Sequence, residues 1–185
     1  MSNSVFIATS LDGYIADKQG GLDWLHSIPN PEKRDLGFVA FMQSVDALVM
    51  GRNTFEVVCG FECDWPYDKP VFVLSNSLRE IPSAYSDKAT LMQGTPHEVV
   101  EKLDVMGLSK RYIDGGITIQ RFLQAGLIDE MTITQLPILL GGGSPLFGKL
   151  NASVDWELVS SRIELNAMVQ SHYRRRGSPS LDQSG

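Results

Sequence analysis

Hydrophobic and polar positions along the chain follow two periods in turn, and each switch marks an element. Ser4-Val-Phe-Ile-Ala-Thr9 is an apolar run of strand length, followed by turn residues at Asp12-Gly13 and a polar loop at Asp17-Lys-Gln-Gly-Gly21. From Pro31 to Ser44, Leu36, Val39, Phe41 and Met42 recur at the spacing of one helix face, with Pro31 and Glu32 in the first turn. A helix is predicted there. Ala47-Leu-Val-Met50 is a short buried strand that stops at Gly51, and a second helix is predicted from about Asn53.

Pro70-Val-Phe-Val-Leu-Ser75 gives another strand, and Pro96 to Met106 a helix with proline at its start and Gly107 after its end. Tyr112-Ile113 runs as a strand into Asp114-Gly115-Gly116, and Thr118 to Ala125 reads as the next helix. From Glu130 the pattern changes: Met131 to Gln135, and segments near 155–164 and 167–174, are strands with no helix between them. The predicted class is α/β, with a mostly parallel central sheet covered by helices on both faces and closed by antiparallel C-terminal strands.

The chain of 185 residues suits one domain, over residues 1–176, followed by a polar Gly/Ser-rich tail at 177–185 expected to be disordered. No apolar run approaches the roughly 20 residues of a membrane span, and Met1-Ser-Asn-Ser-Val lacks the basic start of a secretory signal, so a cytoplasmic protein is expected. A net charge of −6 argues against nucleic acid as partner. The one basic run, Arg174-Arg175-Arg176, reads as a solvated strand end. Cys59 and Cys63 are too few for a disulfide framework or, with three scattered histidines, for a metal site.

Three features carry candidate chemistry. Gly51-Arg52-Asn53-Thr54 ends a strand and opens a helix, which aims free backbone N–H groups and the positive helix end at whatever sits in front. Phosphate is the natural ligand of such a turn, with Arg52 and Thr54 as side-chain donors, although a plain helix start with Asn53 or Thr54 as cap fits equally well. Asp114-Gly115-Gly116 repeats the arrangement on another strand. Two such turns at one sheet edge suit a dinucleotide, because open α/β sheets bind ligands in the crevice at their strand C-termini. Asp35, an acid within an apolar helical stretch, is the third feature, and on residue pattern alone an exposed helix-face position is the commoner explanation. Trp24 reads as a lid anchor or a core aromatic.

Taken in order, Ser10-Leu-Asp-Gly-Tyr-Ile-Ala16, Met50-Gly-Arg-Asn-Thr-Phe55, Val73-Leu-Ser75, Tyr112-Ile-Asp-Gly-Gly-Ile-Thr-Ile-Gln-Arg-Phe-Leu123 and Pro137-Ile-Leu-Leu-Gly-Gly-Gly-Ser-Pro-Leu-Phe147 resemble the dihydrofolate reductase superfamily. The resemblance covers roughly residues 3–174 and is strongest to the branch of the reductase domain of bacterial riboflavin biosynthesis. It implies a three-layer reductase fold, NADPH as hydride donor and a pyrimidine or pterin-like heterocycle as acceptor.

By position, the resemblance implies that Gly51, Arg52, Asn53 and Thr54 meet cofactor phosphates, with Ser75 and Asn76 on the adenosine side and Leu74 in the adenine pocket. Asp114, Gly115, Gly116 and Thr118 would hold the pyrophosphate, and Ala8, Ile15 and Ala16 would border the nicotinamide. Ile117 stands where dihydrofolate reductases often carry an arginine for the 2′-phosphate, so a preference for NADPH rests on Arg52 with Ser75.

Asp35, fifteen positions before Met50, matches the pterin-binding acid, and Thr134 the threonine that hydrogen-bonds it. Trp24, Phe38 and Val39 would complete the substrate side. The triglycine loop favours the riboflavin branch, whereas Asp35 and Thr134 favour the folate branch. No deaminase signature is present, so a two-domain riboflavin enzyme is not expected. Dihydrofolate reduction, a nucleotide-binding protein without catalysis, and a structural dimer module are the alternatives. A solvent-facing Asp35, or a substrate space filled by Trp24 and Phe38, would mark the non-catalytic case. The same branch implies a homodimer.

Overall fold

The strand Ala47-Leu-Val-Met50 explains why the sheet lies in the middle. A strand sends alternate side chains to opposite faces, and all four of these are fully buried, so both faces must be covered. The structure, a computed structural model, describes residues 1–61 and 63–177. The expected tail at 177–185 lies, from residue 178 on, outside the described residues.

In chain order the strands are β1 (Ser2–Thr9), β2 (Tyr14–Ala16), β3 (Ala47–Gly51), β4 (Val71–Leu74), β5 (Ala89–Met92), β6 (Lys110–Asp114), β7 (Glu130–Gln135), β8 (Ser144–Pro145), β9 (Trp156–Glu164) and β10 (Met168–Arg175). The helices are α1 (Phe38–Ser44), α2 (Arg52–Cys59), α3 (Pro96–Val105) and α4 (Gly116–Gln124). The main sheet runs β5-β4-β3-β6-β1-β7-β10-β9, and β2 pairs with β8 in a separate ribbon. Every pairing from β5 to β7 is parallel, and β10 then pairs antiparallel with both β7 and β9. This is the mostly parallel sheet with antiparallel C-terminal strands read from the sequence.

Ala47 and Val49 pack with Val99 and Leu103 of α3 and Ile119 and Phe122 of α4, while Leu48 and Met50 pack with Met42 of α1 and Phe55 of α2. Three layers result. Helix α3 starts where its sequence signals it: Thr95 and Glu98 form a reciprocal capping box, with Pro96 in the first turn. Among the described residues no helix is long and apolar enough to cross a membrane.

Two expectations need correction. The helix predicted from Pro31 begins only at Phe38. Lys33, Leu36 and Gly37 all have positive φ (49°, 55° and 89°), and the Asn30 side chain both accepts from the Arg34 N–H and donates to the Arg34 carbonyl, closing a loop in place of a helical turn. The apolar spacing was misleading because Leu36 belongs to this loop, and Val39 is 56% exposed. The arginine run is also less free than its sequence suggests: Arg174 pairs with Glu130, and Arg175 donates to the Gly126 carbonyl.

Candidate active site

The two glycine turns meet at the C-terminal edge of adjacent strands, β3 and β6. A Cβ on Gly115 would lie 2.1 Å from Thr54 Oγ1, and one on Gly51 would lie 2.8 Å from Thr118 Oγ1. Each turn thus presses a glycine against the other turn's threonine. Both following helices open without a side-chain cap, so the leading N–H groups of α2 and α4 face the same crevice unpaired. Thr118 is buried, whereas Ile117 is 66% exposed at the rim.

Beside this edge, Arg52 donates to Ser77 Oγ at 3.2 Å and lies 3.5 Å from the exposed Glu56, a loose pairing that leaves most of its donors available. Ser75 Oγ accepts from the backbone N–H groups of Ser77 and Leu78, folding the β4 end into a tight turn. Asn76 is exposed at the tip, and Leu74 sits half-buried against the core. Ser77 was not singled out from the sequence; a third hydroxyl in Ser75-Asn76-Ser77 was the available signal.

The Ser10–Ala16 and Pro137–Phe147 motifs fold onto each other. Asp12 accepts from Ser10 Oγ (2.6 Å) and from the N–H groups of Leu140 (3.1 Å) and Gly141 (2.8 Å), and these bonds, the Ser10 hydroxyl first, hold its carboxyl below the usual range. Gly143 has φ +134°, and a Cβ there would lie 2.0 Å from the Ala16 carbonyl oxygen. Glycine is required for that approach. Ile15 reaches Gly116, where a Cβ would stand 3.0 Å from its Cδ1, so the ribbon of β2 and β8 closes the crevice over the second glycine turn.

Asp114 at the end of β6 is the most perturbed acid of the crevice. Burial pushes its carboxyl up from 3.8 to about 6, and the Gly115 N–H, which donates to it at 2.8 Å, offsets this only in part. Neighbouring Tyr112 offsets it less, because its hydroxyl proton goes to the Phe6 carbonyl.

A cavity of about 460 Å³ opens next to the β1 end of this edge, lined by Phe6, Ala8, Asp35, Leu36, Phe38 and Thr134 among others. Ala8, on the strand next to β6, thus faces the cavity. The remaining walls come from Leu25, His26, Ile28, Pro29 and Asn30 of the loop before α1, and from Leu136, Leu165 and Met168. None of these was singled out from sequence, since residues 25–30 carry no helical or strand period, and Leu136, Leu165 and Met168 meet them only through the fold. Trp24 lies behind the wall, buried with Leu136 and Met168. Val39 is not among the lining residues.

Asp35 and Thr134 share the cavity but are not hydrogen-bonded to each other. Asp35 is exposed at the mouth, and its carboxylate accepts from the Val39 N–H at 2.8 Å; that bond and one from Gly37 hold its carboxyl below the usual range. Thr134 Oγ1 accepts instead from Gln170 Nε2 at 2.8 Å. An ionised Asp35 suits an anchor for substrate N–H groups better than a proton donor. Asp35→Asn keeps an oxygen for the Val39 N–H and should lower the thermal midpoint only slightly. It should raise KM for a substrate seated in the cavity about tenfold by removing one charged hydrogen bond; an unchanged KM would take Asp35 out of the site.

Comparison with known proteins bears on this geometry directly. The RibD C-terminal domain family model matches residues 4–167. The uncharacterised Bacillus subtilis protein YwjB is 33% identical over 174 residues, spanning 92% of this chain and 96% of its own. A crystal structure from Shewanella sp. PV-4, of a protein named for riboflavin biosynthesis, is 57% identical with a TM-score of 0.93, covering 95% of this chain and 99% of that one. Dihydrofolate reductase from Enterococcus faecalis, complexed with NADP(H), is 20% identical with a TM-score of 0.62 over 95% of this chain and 96% of its own, a likeness of fold. With its five motifs gathered at one sheet edge and the family model spanning nearly all of the sheet, this chain belongs to the RibD C-terminal domain family, on a dihydrofolate reductase-like fold.

Proposed function

We propose that the protein is an NADPH-dependent reductase that delivers hydride to a C=N bond or opened-sugar imine of a small heterocycle. Its substrate would be a pyrimidine of the 5-amino-6-(5-phosphoribosylamino)uracil kind. The observation that carries this reading is the pair of interlocked glycine turns at the ends of β3 and β6, next to an open cavity that Ala8 of the neighbouring β1 lines. The donor set fits a dinucleotide phosphate: uncapped α2 and α4 starts, Arg52, and the hydroxyls of Ser75 and Ser77. NADPH, when bound, supplies the hydride. The chain's own residues orient it, exclude water through the β2/β8 ribbon, and anchor the heterocycle at Asp35 and Thr134.

Family membership and the Shewanella relative support the riboflavin-type substrate over dihydrofolate. The Thr134 bond to Gln170 also departs from the acid–threonine pair that the folate branch implies. The exposure of Asp35 favours the non-catalytic reading, and the open cavity favours the reductase, since Trp24 and Phe38 leave it unfilled. A homodimer through β9 and β10 belongs to the same proposal, supported by exposed Leu158, Ile163 and Val169.

Titration with NADPH tests the cofactor half. Arg52→Ala should weaken NADPH about 10- to 100-fold, the value of one or two hydrogen bonds to a charged phosphate, and weaken NADH far less. A wild-type protein that binds no NADPH would sink the proposal. NADPH oxidation with the phosphoribosylaminouracil and with dihydrofolate then separates the two substrates, and binding without turnover on either leaves the non-catalytic reading.

A further inference from the structure

Two residues outside the cavity lining decide the polarity of one within it. Gln170 stands opposite Thr134 across the β7–β10 ladder, and both are nearly fully buried. Its Nε2 lies 2.8 Å from Thr134 Oγ1 and 3.1 Å from the Leu36 carbonyl oxygen. The amide cannot be turned round. Its Oε1 faces Arg162 Nη2, which can only donate, and the Leu36 oxygen can only accept, so the NH2 group must point at Leu36 and Thr134.

Arg162 is itself fixed by the buried Glu164 carboxylate at 2.6 Å, which also holds Arg34 at 2.7 Å. The whole series is therefore oriented from its acidic end. Thr134 Oγ1 receives a proton from Gln170, and its own proton has no acceptor among the hydrogen bonds of the described residues. Strand alternation puts Thr134 on the face of Thr132 and Leu136, opposite Met131 and Ile133 of the core, and Thr134 and Leu136 both line the cavity.

We infer that Gln170 is a positioning residue that makes Thr134 a hydrogen-bond donor into the cavity, so the ligand atom seated there is an acceptor, an oxo group or unprotonated ring nitrogen, and not an amino group. This rests on the proposed reading of the cavity as the heterocycle site. An amino group could use the second Thr134 lone pair, but it would leave the buried hydroxyl proton without a partner, and sites built to hydrogen-bond discriminate strongly against such a mismatch.

The test uses NADPH-loaded protein and two matched probes, pteridine-2,4-dione and 2,4-diaminopteridine, which present oxo or amino groups at both positions whichever faces Thr134. Calorimetric Kd values should favour the dione by about tenfold or more in the wild type. Gln170→Met frees the hydroxyl to rotate, and Thr134→Val removes it with little change of shape. Both should shift the ratio about tenfold toward the diamine while NADPH affinity holds, and the double variant should go no further. A ratio unchanged in both single variants overturns the inference and leaves the proposed function standing. Binding of neither probe by protein that binds NADPH overturns the inference together with the proposed heterocycle site.

Discussion

Gly115→Ala should cost roughly 2–4 kcal/mol of stability and abolish measurable NADPH binding. Gly115 has φ 87° and ψ 136°, a region that residues with a Cβ essentially do not occupy, and the added carbon would lie 2.1 Å from Thr54 Oγ1. Thr54 cannot simply swing away, because its own Cβ would be only 3.3 Å from the new carbon and a β-branched side chain has few helical rotamers. The two turns would have to separate, and the crevice proposed to hold the cofactor lies between them. Thermal unfolding is expected to show a drop of about 5–15 °C for a chain of this size. Gly13→Ala is the control: φ there is +83° with nothing within 4 Å, so backbone strain acts alone and the loss should be smaller. Wild-type stability in Gly115→Ala would remove the contact between the turns from any structural role.

The second large effect is a dependence of stability on pH set by Asp114. Its carboxyl moves from 3.8 in the unfolded chain to about 6 in the folded one, mainly through burial. The folded state therefore holds the proton more tightly. The stability linked to it is fully present below about pH 4 and is lost as pH rises through about 6, by roughly 3 kcal/mol in total. Asp12, Asp35, Glu98 and Glu130 shift the other way, and their contribution falls away as pH drops through the ordinary carboxylate range and below it. Between about pH 5 and 6 Asp114 should dominate. Asp114→Asn retains an oxygen for the Gly115 N–H, so denaturant unfolding of the variant should show a flat profile in that window and a gain over wild type above it. A variant profile that still falls between these limits would place the titrating group elsewhere.

Much of this molecule was legible before folding, for reasons that can be read from particular segments. Ala47-Leu-Val-Met50 has no polar face, which demands a strand covered on both sides, and Thr95-Pro-His-Glu98 carries its helix start in full. Gly115 could be singled out because a φ of 87° ahead of a helix is a local backbone requirement, whereas Gly51, with φ −80°, needs glycine only because a Cβ there would meet Thr118 from the other turn. The short edge strand β5 and the ribbon of β2 and β8 were not visible, since four, three and two residues carry no period and exist only through their pairing partners.

The sequence by itself determined the layers, the parallel order of strands and helices, and the two turns at the crevice, because these follow from patterns within ten or fifteen neighbouring residues. Tertiary structure alone decided the rest of the site. It delayed the start of the first helix to Phe38 by putting Lys33, Leu36 and Gly37 in left-handed conformations, and it assembled the cavity from a loop, two parallel strands and the final hairpin. It also gave Thr134 to Gln170 instead of Asp35, 36 positions along the chain. A hydrogen bond between such distant residues depends on strand register and on the competing claims of Arg162 and Leu36, and no local pattern of residues encodes either.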